Sequence, residues 1–270
     1  MNVLSLCDGM SCGQIALQRM GIVPSKYYSS EIDSHTMAVT QYNYPKTVFL
    51  GDIANWKSWN IDLASIDLVI GGTPCQGFSR AGFNGGFDDP RSQAILHFFD
   101  ILQSLRPDVK FLLENVVMKS EHVDVINNAM GVQPIAIDAS LVSAQLRNRL
   151  YWCNWDVQQP ADLGIQLKSI IDSGVVDREK SYCIDANYAK GVNLNQYVTK
   201  GRRQIVYEES GHKEEGGVHY RLLSPLECER AQTVPEGYTD VPGISKTQRY
   251  KMLGNGWCVD VITHILKAGI

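Results

Sequence analysis

The stretch Gly71-Gly72-Thr73-Pro74-Cys75-Gln76-Gly77-Phe78-Ser79 follows directly on the apolar run Ile66-Asp67-Leu68-Val69-Ile70. Aliphatic and β-branched residues that break at Gly-Gly predict a buried strand ending in a tight loop, with Cys75 just past the strand's carboxyl end. Ligands of open α/β sheets bind at that end. Most free cysteines are small buried hydrophobes, so a nucleophilic reading of Cys75 requires partners elsewhere in the chain. Two segments offer them. Val109-Lys110-Phe111-Leu112-Leu113 predicts a further strand ending in Glu114-Asn115-Val116, and a carboxylate at an adjacent strand end would share the cleft. In Gln145-Leu146-Arg147-Asn148-Arg149, residues Gln145, Arg147 and Arg149 alternate onto one side of an extended segment. Two guanidinium groups facing one way suit a carboxylate, a phosphate or a polar base edge. The plainer alternative is a solvated strand edge whose charges discourage aggregation.

A second group of residues reads as a nucleoside site. Val3-Leu4-Ser5-Leu6 predicts a strand, Cys7-Asp8-Gly9-Met10-Ser11-Cys12-Gly13 a glycine loop, and Cys12, Ile15, Ala16 and Met20 a helix stopped by Gly21. Glycines allow a ligand close to the backbone, and the helix start can hold a negative group. The extended run Tyr27-Tyr28-Ser29-Ser30-Glu31 ends in a carboxylate about 20 residues past the loop, the place of a ribose-binding acid. Thr47-Val48-Phe49-Leu50 predicts a third strand, ending at Gly51-Asp52-Ile53 with an acid for an exocyclic amine and an aliphatic face for a base. Each acid taken alone reads equally well as a solvated loop residue.

The rest of the chain must position these groups. The segment Arg80-Ala81-Gly82-Phe83-Asn84-Gly85-Gly86 reads as a loop able to close over a substrate. Asp88-Asp89-Pro90-Arg91-Ser92 opens a long helix with a buried stripe of Ile95, Phe98, Phe99 and Leu102, and Pro107 lies just beyond its end. Ile135-Ala136-Ile137 and Leu150-Tyr151-Trp152-Cys153 complete the sheet. From Asn154 to about Val218 helical periodicity fades and amides, glycines and tyrosines become frequent, which predicts a small irregular second domain. Its basic cluster Lys200-Gly201-Arg202-Arg203 is a candidate phosphate contact. Ser224-Pro225-Leu226-Glu227 is a capping box with proline at the first helical position, opening a helix that runs to about Thr233. The segment from Lys251 to Cys258 leads into a last helix with Val259, Ile262 and Leu266 on one face, expected to pack back on the first sheet.

Composition narrows the class. A 270-residue chain with 44% hydrophobic residues supports one full-sized core, or a large domain carrying a smaller one. No apolar stretch approaches the roughly 20 residues needed to cross a bilayer, and the start lacks the form of a signal peptide, so the expectation is a soluble cytoplasmic protein without membrane contact. The seven cysteines show no paired spacing and the six histidines do not cluster near them, which argues against a disulfide framework and a metal site. The net charge of -4 lacks the basic excess usual in phosphate binders, although a basic cleft can sit within an acidic whole.

A cysteine with a nearby acid and no obvious histidine base suits addition to an electron-poor ring better than peptide hydrolysis. The ordered set Leu6-Cys7-Asp8-Gly9 with Gly13, Pro74-Cys75-Gln76-Gly77-Phe78-Ser79, Glu114-Asn115-Val116, Gln145-x-Arg147-x-Arg149, Arg221-Leu222-Leu223-Ser224-Pro225-x-Glu227-Cys228 and Gly254-Asn255 resembles the DNA cytosine-5 methyltransferase family from the first strand to the last helix. The Val3-Leu4-Ser5-Leu6 opening and Trp257 resemble its de novo methyltransferase subgroup. The resemblance implies an α/β fold with a Rossmann-like, S-adenosylmethionine-dependent methyltransferase sheet and a small irregular target recognition domain. It divides the chain into a catalytic and cofactor-binding domain over 1–153, a recognition domain over 154–243 and a C-terminal segment over 244–270. It implies double-stranded DNA as partner, a monomer on that DNA and a bacterial or phage source. Cys75, Glu114, Arg149 and Arg147 take catalytic positions, with Gln145 in support. Leu6, Cys7, Asp8, Gly9, Gly13, Glu31, Ile32, Asp33, Asp52, Ile53, Gly72, Pro74, Asn255, Trp257 and Val259 take cofactor positions, and Gln76, Ser79, Arg80, Lys200, Arg202 and Arg203 DNA positions.

The chain departs from the pattern at Cys7, where the family usually has a phenylalanine packed on the cofactor. Losing that ring costs on the order of 1 kcal/mol and raises the question of tolerance for a modified cofactor. Three other readings share parts of the sequence. An RNA-directed enzyme would use the same chemistry. A silent DNA-binding relative would be free to lose Cys75, Glu114 and Arg149, all of which are present. A nicotinamide oxidoreductase would leave Cys75 and the second domain without a role.

Overall fold

The structure is a computed structural model that describes residues 1–74, 93–208 and 219–270. Cys75, Gln76, Ser79, Arg80, the glycine-rich segment after them and the start of the predicted long helix lie outside the described residues. The chain divides into two compact units. The first comprises 1–137, 148–159 and 263–270, and the second 138–147 and 160–262.

The first unit is built on strand–helix alternation. In chain order it contains β1 (Asn2–Leu6), α1 (Cys12–Arg19), β2 (Lys26–Ser30), α2 (Ser34–Asn43), β3 (Val48–Phe49), β4 (Leu68–Gly72), α3 (Gln93–Gln103), β5 (Lys110–Val116), α4 (Ser120–Met130), β6 (Ile135–Asp138) and β7 (Asn148–Cys153). Among the described residues the sheet order is β3-β2-β1-β4-β5-β7-β6. The strands β3, β2, β1, β4 and β5 run parallel, and β7 pairs antiparallel with β5. This is the α/β fold expected, a mixed sheet of the methyltransferase type.

From β1 the chain first winds outward to β2 and β3 and then crosses back to β4 on the other side. That reversal leaves a crevice at the carboxyl ends of β1 and β4, where open sheets of this type bind their ligands. The register pairs Leu6 with Gly71. The Cys7–Ser11 turn and the segment leading to Cys75 therefore leave the sheet side by side. The central strands are buried on both faces, and the core beneath the crevice includes Leu4, Leu6, Val69, Ile95, Phe98, Ile101, Leu113 and Trp152. Ile101, fully buried, joins Ile95, Phe98 and Phe99 in the α3 stripe, while Leu102 is only partly buried. Gly13 lets α1 lie against β4, because a Cβ there would come within 2.2 Å of Ile70 Cδ1.

The second unit has little regular structure before α5 (Leu194–Lys200), β8 (Ile205–Tyr207) and β9 (Tyr220–Leu222), and then α6 (Pro225–Ala231) and α7 (Lys246–Asn255). The last helix, α8 (Val259–Gly269), begins in this unit and ends in the first. The predicted capping box is present. Ser224 accepts from the Glu227 amide and Glu227 from the Ser224 amide, with Pro225 at the helix start.

Helix α7 is an element the sequence reading did not assign. Its signal was a second capping box, Ser245 with Gln248, obscured by a low apolar content and by Gly254 inside the helix. That glycine is there for packing. A Cβ on it would sit 2.1 Å from the Asp185 carbonyl carbon and 2.3 Å from the Ala186 nitrogen, both of them backbone. Alanine in place of a helical glycine normally gains about 1 kcal/mol. Here the clash dominates, and Gly254→Ala is expected to lower stability by about 2 kcal/mol net, read as a lower urea midpoint at unchanged slope; a raised midpoint would show that the 185–186 backbone gives way.

Candidate active site

At the crevice, β5 lies next to β4 with Glu114 in parallel register with Gly72. On the other side of β5, Glu114 stands opposite Tyr151 and Val116 opposite Arg149. Arg149 is thus the diagonal neighbour of Glu114 on one face of the pair, within reach of a long side chain. Its Nε lies 3.1 Å from Glu114 Oε1, with the two side chains 16% and 10% exposed. The acid is a strand residue with a charged partner in a nearly dry setting, so its direction is set by the sheet.

Asn115 points to the opposite face. Its Nδ2 donates to Thr73 Oγ1 (3.1 Å) and to the Thr73 carbonyl, tying β5 to the segment that leads from β4 to Cys75. The sequence reading had Asn115 only as part of a motif. An asparagine inside a predicted strand, between Glu114 and Val116, was the available signal.

The three alternating residues do not act together. Gln145 and Arg147 belong to the second unit and are buried there. Gln145 Nε2 donates to the Ala231 carbonyl and to Gln232 Oε1, both at 2.7 Å, and its oxygen accepts from the Ile184 amide. Arg147 donates to the carbonyls of Ile184 (3.1 Å), Gly254 and Gly256 (2.8 Å) and to Cys183 Sγ. This corrects the expectation of a guanidinium pair facing one ligand. Alternation does turn Gln145 and Arg147 the same way, but toward a shell made mostly of carbonyls that fixes them in place, whereas Arg149 reaches Glu114.

The nucleoside-site residues cluster at the ends of β1, β2 and β3. Cys7, Gly9 and Ser11 all have left-handed backbone, with φ of 54°, 60° and 64°. For the two residues other than glycine this costs about 1–3 kcal/mol each. The Glu31 carboxylate sits over the turn. Its Oε2 accepts from the Gly9 amide (2.7 Å) and its Oε1 from the amides of Ile32 and Asp33, both at 2.8 Å. Three backbone donors hold the acid in one orientation and leave about one lone-pair site, on Oε2, for a ribose hydroxyl. Ile32, 72% exposed, stands beside it as an uncovered aliphatic face. Asp52 caps the short helical turn that follows it, accepting from the Ala54 amide, and Ile53 is buried. Asp33 caps α2 by accepting from the His35 amide.

The Cys7 thiol is pushed up to about 12 by burial first and then by the carboxylates of Glu31, Asp52 and Asp8. Burial and these acids disfavour its thiolate. The Asp8 carboxyl is raised by burial against the opposing pull of four hydroxyl donors.

In the second unit, Lys200 and Arg202 are exposed, as a phosphate contact requires, but Arg203 is not. It is 8% exposed, has φ of 58° and donates to the Gly191 carbonyl at 2.6 Å. It locks the turn after α5, and burial removes it from the basic surface. Asn255, Trp257 and Val259 also belong to this unit. No group of three or more His, Cys, Asp or Glu able to hold a metal occurs among the described residues. No helix is long and apolar enough to cross a membrane, again among the described residues.

A sheet wound in this order, with a cofactor-type turn at β1, a ribose-type acid after β2 and an acid on β5 beside Gly72, defines the class of Rossmann-like methyltransferases. Within that class the chain belongs to the C-5 cytosine-specific DNA methylase family, whose model matches residues 1–133 and 137–270. It is accordingly an S-adenosylmethionine-dependent DNA (cytosine-5)-methyltransferase. Among its relatives, the type II methyltransferase M.HhaI of Haemophilus parahaemolyticus is 25% identical over 97% of this chain and 92% of its own length. The type II methyltransferase M.Bsp6I of a Bacillus species is 26% identical over 98% and 97%. Similar solved structures include the Entamoeba histolytica methyltransferase EhMeth, with TM-score 0.77, 17% identity and 99% and 97% of the two chains covered. A Spodoptera frugiperda DNMT2 variant has TM-score 0.70, 21% identity and 99% and 98% coverage.

Proposed function

We propose that this methyltransferase works through a covalent adduct between Cys75 and a cytosine flipped out of the duplex, since the ring is unreachable in the stack. The Cys75 thiolate adds to ring carbon 6. Glu114 hydrogen-bonds ring N3 and the exocyclic amine, which offsets the charge that addition pushes into the ring. Arg149 holds Glu114 in direction and contacts the base. Carbon 5, now electron-rich, takes the methyl group; loss of its proton then restores the double bond and expels the cysteine. S-adenosylmethionine, when bound, supplies the electrophilic methyl group. The residues at the β1–β3 ends fit it. Glu31 offers a fixed acceptor for a ribose hydroxyl, Ile32 an apolar face for the adenine and Asp52 an acid near its amine, while Leu6, Cys7, Gly9, Ile53, Gly72 and Pro74 complete the contacts proposed in the first unit; Asn255, Trp257 and Val259 are cofactor positions by the family resemblance alone.

The observation that carries this reading is the placement of Glu114, paired with Arg149 and in register with Gly72, three residues before Cys75. We assign target recognition to the 154–243 segment, of which 160–243 lies in the second unit, and catalysis to 1–153; of the C-terminal segment 244–270, residues 263–270 lie in the first unit and 244–262 in the second. Lys200 and Arg202, with Gln76, Ser79 and Arg80, are the proposed DNA contacts. We assign action as a monomer in a bacterial or phage-infected cytoplasm; the bacterial origin of the type II relatives supports the source.

Purified protein with S-adenosylmethionine is expected to transfer labelled methyl to mixed-sequence duplex DNA and to form a denaturation-resistant adduct with duplex containing 5-fluorocytosine, whose fluorine blocks the final proton loss. Methyl transfer without an adduct would overturn the covalent route. Bisulfite sequencing of plasmid from expressing cells would then read the target sequence.

A further inference from the structure

We infer that Asp8 is a positioning residue for the cofactor and not a ligand to it: a cage of four hydroxyls occupies its carboxylate and holds the Cys7–Ser11 turn in the shape that directs Glu31. This rests on the cofactor reading of the β1–β3 ends given above.

The Asp8 carboxylate is buried in the first unit. Its Oδ1 accepts from Ser5 Oγ (2.5 Å) and the Tyr27 hydroxyl (2.8 Å), and its Oδ2 from Ser11 Oγ (2.7 Å) and Ser29 Oγ (2.9 Å). A carboxylate has about four lone-pair sites. Four donors, two on each oxygen, leave none for a ligand's amino or hydroxyl group. The donors come from β1, from the turn and from β2, so one side chain joins both strands to the loop between the first strand and α1. Gln14 extends the link, donating from Nε2 to Ser11 Oγ and to Thr47 Oγ1, both at 2.9 Å, just before β3.

The cage explains two other features. Cys7 and Ser11 flank Asp8 in left-handed backbone that side-chain-bearing residues rarely adopt, and charge-assisted hydrogen bonds at Asp8 are what hold such a turn. Gly13 also borders the cage: besides its 2.2 Å approach to Ile70, a Cβ there would lie 2.8 Å from the Tyr27 hydroxyl that reaches Asp8. The turn so fixed presents the Gly9 amide to Glu31 Oε2 at 2.7 Å. The chain of cause runs from the hydroxyls through Asp8 and the turn to the orientation of Glu31.

The experiment is calorimetric titration of the full-length protein with S-adenosylhomocysteine, for wild type, Tyr27→Phe, Ser29→Ala and Asp8→Asn, with thermal melts as the fold control. Removing one cage hydroxyl is expected to weaken binding about fivefold, with the KM for S-adenosylmethionine rising in step for Tyr27→Phe and its kcat at saturating cofactor changing by less than about twofold. The Asp8→Asn/Tyr27→Phe double variant is expected to bind no worse than Asp8→Asn within about twofold, since both act through one cage. A direct ligand role predicts the opposite sign, because each lost hydroxyl frees a lone pair for the cofactor. Wild-type or tighter binding in Tyr27→Phe and Ser29→Ala overturns the inference even where Asp8→Asn fails to fold, as does a lowered melting temperature with unchanged affinity. Failure of wild type itself to bind would instead remove the cofactor reading on which the inference stands.

Discussion

Glu114→Gln lowers the single-turnover rate of methyl transfer by on the order of a thousandfold, with S-adenosylhomocysteine affinity within a few fold of wild type. The substitution keeps the shape but replaces a charge that faces Arg149 Nε at 3.1 Å. Two effects then add. The neutral amide cannot offset charge developing in the ring as cytosine accepts a thiolate, and the Arg149 guanidinium, 16% exposed, is left with a weaker partner in a poorly solvated place. Cofactor binding is spared because Glu114, on β5, is not among the proposed cofactor contacts, most of which gather at the ends of β1, β2 and β3. A rate within tenfold of wild type would remove Glu114 from the chemistry and leave its ion pair with Arg149 as a packing feature.

The second large effect is expected at Cys75. Cys75→Ala removes the nucleophile itself, and the loss in transfer is on the order of 10⁴-fold or more, with no adduct on 5-fluorocytosine duplex and with S-adenosylhomocysteine bound within about twofold of wild type. Binding and chemistry separate here because the nucleophile meets only the base. A variant that loses cofactor affinity as well would mark Cys75 as a structural thiol. The other cysteine near the site makes a useful contrast. In Cys7, burial and the carboxylates of Glu31, Asp52 and Asp8 push the thiol up to about 12, which disfavours the thiolate a nucleophile needs.

The first half of the chain was legible because its signals are local. Val3–Leu6, Tyr27–Ser30, Leu68–Ile70 and Phe111–Leu113 are short apolar or β-branched runs punctuated by glycine, acid or proline, and each forms the strand its pattern predicts. The helical stripe of α3 was readable from its 3.6-residue period; Leu102 packs against the core but is only partly buried, and Ile101, not named in the stripe, is fully buried. Where tertiary contact overrides local pattern, reading failed. Helix α7 carries few apolar residues and an internal glycine, and is explained only by the backbone of Asp185 and Ala186 lying against Gly254. Arg203 reads as one more charge in a basic cluster, and only the fold buries it against the Gly191 carbonyl.

What the sequence determined by itself is the order of strands and loops, the residue types at the strand ends and the family to which that order belongs. These follow from hydrophobic period, turn chemistry and motif spacing, which depend on near neighbours in the chain. What only the tertiary structure decided is which of those residues share a surface. Sheet pairing sets Glu114 beside Gly72 and under Arg149 although 35 residues separate the acid from the arginine in sequence. It also separates Arg147 from Arg149, two residues apart, because one ends in a shell of main-chain carbonyls and the other on a strand. Asp8 makes the same point: its type marks it as a ligand, and four hydroxyls gathered from two strands and a turn make it a brace. A hydrogen-bonding group does what its nearest partners allow, and those partners are chosen by packing.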